Sequence, residues 1–246
     1  MANWSDPRTD RVSFGAAAGT AARGAAFDAG LRSYMLSVYN YMASGVLLTG
    51  VVAMLFAQSG LAYQILAGPG LLKYLIMFAP LAFVMVLSFG INRLSTAAAQ
   101  GIYWAYAAVM GLSMASIFLV FTGTSIAQTF FATAAAFAGL SLYGYTTKKD
   151  LSGFGTFLIM GVVGLLVAML INIFLQSTGL DFAISAIGVL IFAGLTAWDT
   201  QKIKEMYSAN DDGTVSGRKA VMGALTLYLD FINLFLFLLR FMGDRR

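Results

Sequence analysis

Five stretches of this chain, 33–72, 74–92, 94–147, 151–180 and 182–198, contain no Asp, Glu, Lys or Arg. Apolar runs of this length constrain the fold before any motif does, because about 20 predominantly apolar residues suffice for a helix to cross the hydrocarbon of a bilayer. Of 246 residues, 59% are hydrophobic and 11% charged, against about 25% charged in ordinary soluble proteins. The chain reads as an integral membrane protein. Backbone polar groups in lipid must be satisfied internally, so the spans are helices or strands of a closed barrel, and runs this uniformly apolar lack the alternation of barrel strands. The expected fold class is all-α.

Spans are expected at 34–56, 71–92, 102–122, 126–145, 154–175, 182–207 and 221–241, seven helices in one domain, 33–246. Residues 1–32, with a Gly/Ala-rich run and no apolar segment before a cleavage site, read as a mobile cytoplasmic tail rather than a signal peptide. Placing the N-terminus in the cytoplasm puts eleven of the fifteen Lys and Arg inside: Arg8, Arg11, Arg23, Arg32, Arg93, Lys148, Lys149, Lys202, Lys204, Arg218 and Lys219, as the positive-inside rule expects. Arg240, Arg245 and Arg246 would then lie outside. The seventh segment is read as a full span, with a re-entrant segment as the alternative. The only long loop is expected at 208–219, around the turn sequence Asn210-Asp211-Asp212-Gly213.

Basic loops facing anionic lipid account for the formal charge of +4 without nucleic acid as a partner. With neither Cys nor His, there are no disulfides, thiolate nucleophiles, imidazole bases or Cys/His metal and haem sites. No enzymatic activity and no resident cofactor are expected. Small residues such as Gly164 and Ala168, four apart, read as a helix-packing seam.

Against this background Asp199 and Asp230 stand out, one in each of the last two spans. A carboxylate at mid-membrane costs roughly 2.5–3.5 kcal/mol on insertion scales, which makes each a candidate functional residue. The two helices are consecutive, and helical rise puts the two residues at similar depths, roughly 12 and 14 Å from the expected helix ends. If they meet where water is scarce, both cannot ionise cheaply and the pair shares a proton. Alternatively, each is hydrogen-bonded separately. Thr226 and Asn233 flank Asp230 on its own face, and Thr196 precedes Asp199 by three residues. Ser33, Ser37, Asn40 and Ser44 form a polar line on the first span that serves packing or lines a water path. Arg93, ending the second span, pairs with a carboxylate or snorkels to the headgroups.

The segments Asp28-Ala29-Gly30-Leu31-Arg32-Ser33-Tyr34-Met35, Val38-Tyr39-Asn40-Tyr41-Met42, Ala197-Trp198-Asp199-Thr200-Gln201 and Leu225-Thr226-Leu227-Tyr228-Leu229-Asp230-Phe231-Ile232-Asn233-Leu234-Phe235 resemble the bacterial branch of the Bax inhibitor-one, or transmembrane Bax inhibitor motif, family. The resemblance implies a bacterial inner-membrane protein of seven helices, the last central and wrapped by the other six. It also implies a pH-sensitive calcium leak in which Asp199 and Asp230 form the proton-sensing pair and Arg93 latches one of them. Calcium, the permeating ion, takes six to eight oxygens. The pair would hold it only transiently, with Asn233, Thr226, Thr196 and Asn40 as neighbours of the pair or pore.

Two other readings lose on local sequence. Presenilin-like intramembrane proteases resemble Gly-x-Gly-Asp at their second aspartate, where this chain has Leu227-Tyr228-Leu229-Asp230. A retinal protein needs a lysine in the seventh span, and 221–241 has none. A third stays open: bacterial relatives resemble modulators of a membrane-anchored quality-control protease, to which the tail 1–32 would be presented.

Overall fold

The computed structural model describes residues 8–246 apart from residue 92, with side chains from residue 25 onward. Among the described residues eight helices follow one another: α1 (Arg8–Gln58), α2 (Leu61–Leu66), α3 (Leu72–Gly90), α4 (Thr96–Val120), α5 (Gly123–Thr146), α6 (Ser152–Leu175), α7 (Thr178–Glu205) and α8 (Gly213–Met242). All but the short α2 are long and apolar enough to cross a membrane, α1 through its segment Ala25–Gln58. The protein is an all-α membrane protein, and each expected span overlaps an observed helix. Residues 8–32, expected as a tail, continue the first span as helix, in keeping with their many alanines; residues 1–7 lie outside the described residues.

One end of the bundle, the near end, carries the turns between α3 and α4, α5 and α6, and α7 and α8. The far end carries the other turns and the C-terminus. The apolar stretch of α8 is 67% buried within the protein, against 11% for those of α3 and α6. Its main partners are α1, α4, α5 and α7, whereas α3 lies chiefly against α4, and α6 against α7. Leu225, Leu227, Tyr228, Phe231 and Ile232 of α8 join Val38 and Met42 of α1, Tyr103 and Tyr106 of α4 and Phe137 of α5 in the largest apolar cluster. The exposed side chains of α3 and α6, among them Leu75, Phe78, Leu166 and Phe174, form the surface offered to lipid.

Two expectations change for local reasons, the start of the last helix and the place of closest helix packing. The last helix starts at Gly213 because Asp212 caps it, accepting from the Val215 backbone N–H at 2.7 Å; the turn before it shortens accordingly. A Cβ on Gly164 would meet nothing within 4 Å, so Gly164 is not a point of close helix approach, although Ala168 packs against the apolar cluster shared with α7. The close approaches lie elsewhere. A Cβ on Gly144 would collide with the Ala197 carbonyl oxygen, and one on Gly155 with the Trp198 indole, so glycine lets α5 and α6 lie directly on the part of α7 that carries Asp199.

The C-terminus settles the topology of the last helix. Beyond α8, Asp244 accepts from the Thr122 N–H at 3.1 Å and donates its own to Ser125 Oγ at 2.9 Å, and the Arg246 N–H reaches the Val120 carbonyl at 2.9 Å. Arg245 approaches Asp181, near the start of α7, at 3.8 Å. These partners lie at the far end, so α8 crosses completely and is not re-entrant.

Proline inside α3 shows how lipid-facing helices repair themselves. Pro80 has no N–H for the Ile76 carbonyl four residues earlier, and that carbonyl accepts instead from Ser113 Oγ of α4 at 3.0 Å. Replacing Ser113 by Ala is expected to cost about 1 kcal/mol, the net worth of one such bond. Adding Pro80→Ala, which restores the helix's own donor, should remove most of that cost. Thermal unfolding of the two single variants and the double variant in detergent measures the coupling.

Candidate functional site

Asp199 and Asp230 meet. The carboxyl groups come within hydrogen-bonding reach of each other across the α7–α8 contact, and they are 7% and 5% exposed. Their distances from the helix ends differ: six residues separate Asp199 from the end of α7, and seventeen separate Asp230 from the start of α8. The first two turns of α8 carry Arg218 and Lys219 and extend past the end of α7. The two depths counted from expected helix ends agree because the expected start of α8 lies eight residues after the observed one at Gly213.

Two ionised carboxylates offer each other acceptors only, so their contact is a hydrogen bond when one of them carries a proton. Asp230 Oδ2 is buried with no other donor in reach. The basic group that bears on the pair is Lys202, which acts on Asp199 through space while its Nζ lies 4.9 Å from the centre of the Trp198 ring.

The other expected site residues are placed around the pair or away from it. Thr196 donates to the Phe192 carbonyl at 2.8 Å, Thr226 to Met222 at 3.1 Å and Asn233 Nδ2 to Leu229 at 2.8 Å. Each of these three side chains is thus turned back onto its own helix. Asn40 is exposed on α1, its carbonyl accepting from Ser44, and the hydroxyls of Ser37 and Ser44 likewise fold onto their own backbone. Arg93 lies in the turn after α3, exposed, and no ion pair joins it to either aspartate among the described residues.

A chain of hydroxyls beside the pair was not anticipated. Tyr39 of α1 bonds Ser141 of α5 at 2.7 Å, Ser141 bonds Thr200 of α7 at 2.9 Å, and Thr200 donates to the Thr196 carbonyl at 2.7 Å. Three helices are thereby tied together one residue beyond Asp199. One sequence signal pointed there: Ser125, Thr129, Thr133, Phe137 and Ser141 recur every four residues, and all are buried on one face of α5. On the other side of α8, Tyr228 bonds Thr49 at 2.7 Å, and Thr49 donates to the Ala107 carbonyl at 2.8 Å, which joins α8 to α1 and α4.

The near end is closed by side chains of α7. Gln201 accepts from the Leu151 N–H at 2.9 Å and donates to the Lys149 carbonyl at 2.8 Å, and Lys204 reaches the Tyr145 carbonyl at 2.8 Å. In the same turn Asp150 accepts from Ser152, which holds its carboxyl below the usual range. Lys219 of α8 pairs with Asp211 at 2.6 Å and donates to the Met206 carbonyl at 2.9 Å, fastening the turn between α7 and α8.

Seven apolar spans around a buried, hydrogen-bonded aspartate pair define a helical membrane protein with an ionisable centre. The family model described as "Inhibitor of apoptosis-promoting Bax1" matches residues 31–246. The chain is 48% identical over 227 residues to an uncharacterized protein of Rickettsia prowazekii (strain Madrid E), covering 92% of this chain and 96% of that one. It is 47% identical over 220 residues to the inner membrane protein YbhL of Escherichia coli (strain K12), covering 89% and 94%. To a protein of Caulobacter vibrioides it is 46% identical over 231 residues, covering 89% and 91%. The chain belongs to the Bax inhibitor-1 family.

If Gln201 holds the turn between α5 and α6 shut, Gln201→Leu should release it, at a cost of about 1–3 kcal/mol for the backbone groups left without partners. Limited trypsin digestion checks this, since Lys148 and Lys149 lie in that turn. The variant should be cut there sooner than the wild type.

Proposed function

We propose that this protein is a pH-sensitive calcium leak of the bacterial inner membrane, with its N-terminus in the cytoplasm, no resident cofactor and no enzymatic activity. The observation that carries the reading is the buried carboxyl pair between α7 and α8. With one proton shared, the contact is attractive and joins the two helices. Loss of that proton leaves two like charges in a poorly solvated site, and their repulsion favours separation of α7 from α8. A divalent cation is the ligand such a site would accept, since two carboxylates and nearby carbonyls present hard oxygen donors. Thr196, Thr226 and Asn233, now turned onto their own helices, are the side chains close enough in sequence to swing round and add oxygens. Few fixed ligands means loose binding, which suits passage better than storage.

In this reading a shared proton, rather than an arginine, joins the pair. Arg93 would act as a latch only in a state that brings the turn after α3 inward. The bilayer is the protein's first partner, and the excess of Lys and Arg at the near end supports a cytoplasmic placement of that end. The E. coli relative's name as an inner membrane protein supports the location.

A second reading makes the protein a non-transporting modulator of a membrane-anchored quality-control protease. It is favoured by the length of α1: Arg8–Gln58 is 51 residues, well beyond the roughly 20 that span hydrocarbon, so an additional helical segment is available to a partner.

Calcium influx into liposomes holding the wild type, Asp199→Asn or Asp230→Asn decides between them. In the wild type, flux should rise from about pH 6 to 8 by up to about tenfold per pH unit, the limit for a one-proton switch. The sign follows from the site, because a higher pH removes the proton that makes the contact attractive. Neither Asn variant can develop the second charge, so each should lose the pH dependence. No flux above empty liposomes at any pH would favour the modulator.

A further inference from the structure

Helices α1 and α5 do not pack closely on each other; α1 leans on α4 and α8, and α5 on α7 and α8. Between them at the near end lies a cavity of ≈ 630 Å³. Its floor is buried and includes Met35, Phe137 and Ser141, while its rim residues Leu36, Ala138 and Leu142 are exposed on the surface that faces lipid. The cavity therefore opens sideways into the bilayer rather than into water. From Arg32 to Tyr39 it runs seven residues along α1, or roughly 10 Å at 1.5 Å per residue, which lies within one leaflet of a hydrocarbon core about 30 Å thick.

The charge at its mouth selects the occupant. Arg32 lies at the near-end rim, exposed and in ion contact with no carboxylate among the described residues. Across the opening, Tyr145 carries Lys204 against it, with Nζ on its carbonyl at 2.8 Å and 5.3 Å from its ring centre. An apolar slot with cations at headgroup level matches a lipid with an acyl chain below and a negative charge above. We propose that the α1–α5 cavity is a binding site for an anionic phospholipid, its phosphate held at Arg32 and an acyl chain lying over Phe137 and between Leu36 and Leu142.

The site has a direct mechanical connection to the aspartates. The bond from Tyr39 to Ser141 crosses the cavity, and from Ser141 the chain continues to Thr200, next to Asp199. A chain seated beside that bond bears on the tie that joins α1, α5 and α7. The lipid site itself does not depend on the calcium reading.

Native mass spectrometry of the full-length protein with added phosphatidylglycerol or phosphatidylcholine tests the proposal. The wild type should retain phosphatidylglycerol in preference. Arg32→Gln should weaken retention by roughly fivefold, the effect of one basic residue at an anionic surface. Ala138→Trp, at an exposed rim position, should abolish it by filling the slot, and Lys73→Gln at the far end should leave it unchanged. Thermal unfolding in lipid-free detergent should be the same for Arg32→Gln and wild type, separating a binding defect from a folding one. Equal retention of both lipids by the wild type, or wild-type retention by Arg32→Gln and Ala138→Trp, would overturn the proposal. So would a dimer that dissociates in Ala138→Trp, which would make a second copy of the chain the occupant.

Discussion

Hydrocarbon supplies no hydrogen bonds, and that constraint organises this bundle more than any apolar contact does. Lipid tails are as apolar as the helix surfaces, so packing gains little from excluding them, whereas each polar atom carried into the bilayer needs a protein partner. The hydroxyl of Ser113 serves the carbonyl that Pro80 leaves open, Thr49 joins Tyr228 to Ala107, and Tyr39, Ser141 and Thr200 tie three helices in sequence. Where the rule is broken, the exceptions are few: among the described residues, Tyr34, Tyr106 and Asp230 each keep a buried side-chain oxygen without a partner. Only one of these is a carboxyl, and it faces a second carboxyl.

The helices that bear the pair are also the best supported. Helix α8 is the most buried span, and α7 is its main partner, while α5 and α6 press onto α7 at Gly144 and Gly155. The helices packed on α7 and α8 thus bury the two aspartates, and at the near end Gln201, Lys204 and Lys219 fasten the turns.

The spans were legible in the sequence because charge is excluded from hydrocarbon over lengths that only a membrane explains. The aspartates were legible for the same reason, as violations of it. What stayed hidden depended on three-dimensional neighbours. Asp212 looked like a turn residue, and only its position three residues before the Val215 N–H makes it a cap. Gly164 has the spacing of a seam but open space where a Cβ would go, whereas Gly144 and Gly155, without that spacing, lie directly on α7. Tyr39, Ser141 and Thr200 are unremarkable polar residues in three separate helices, and nothing in one chain's letters says that they touch. Arg93 lay at the expected end of its helix, yet the end of a helix fixes only the start of a long side chain.

The strap formed by residues 243–246 restricts how the inner helices can move. It fastens the end of α8 to the turn between α4 and α5, and Arg245 reaches toward Asp181 at the start of α7. With these ends pinned, α8 cannot slide along α7; relative motion becomes a pivot about the far end. Asp230 lies twelve residues from Met242, a lever of roughly 18 Å at helical rise, so a tilt of about 10° carries it about 3 Å. That is as long as a hydrogen bond, and it makes a small hinge at one face of the membrane sufficient to separate a pair of side chains buried near the other.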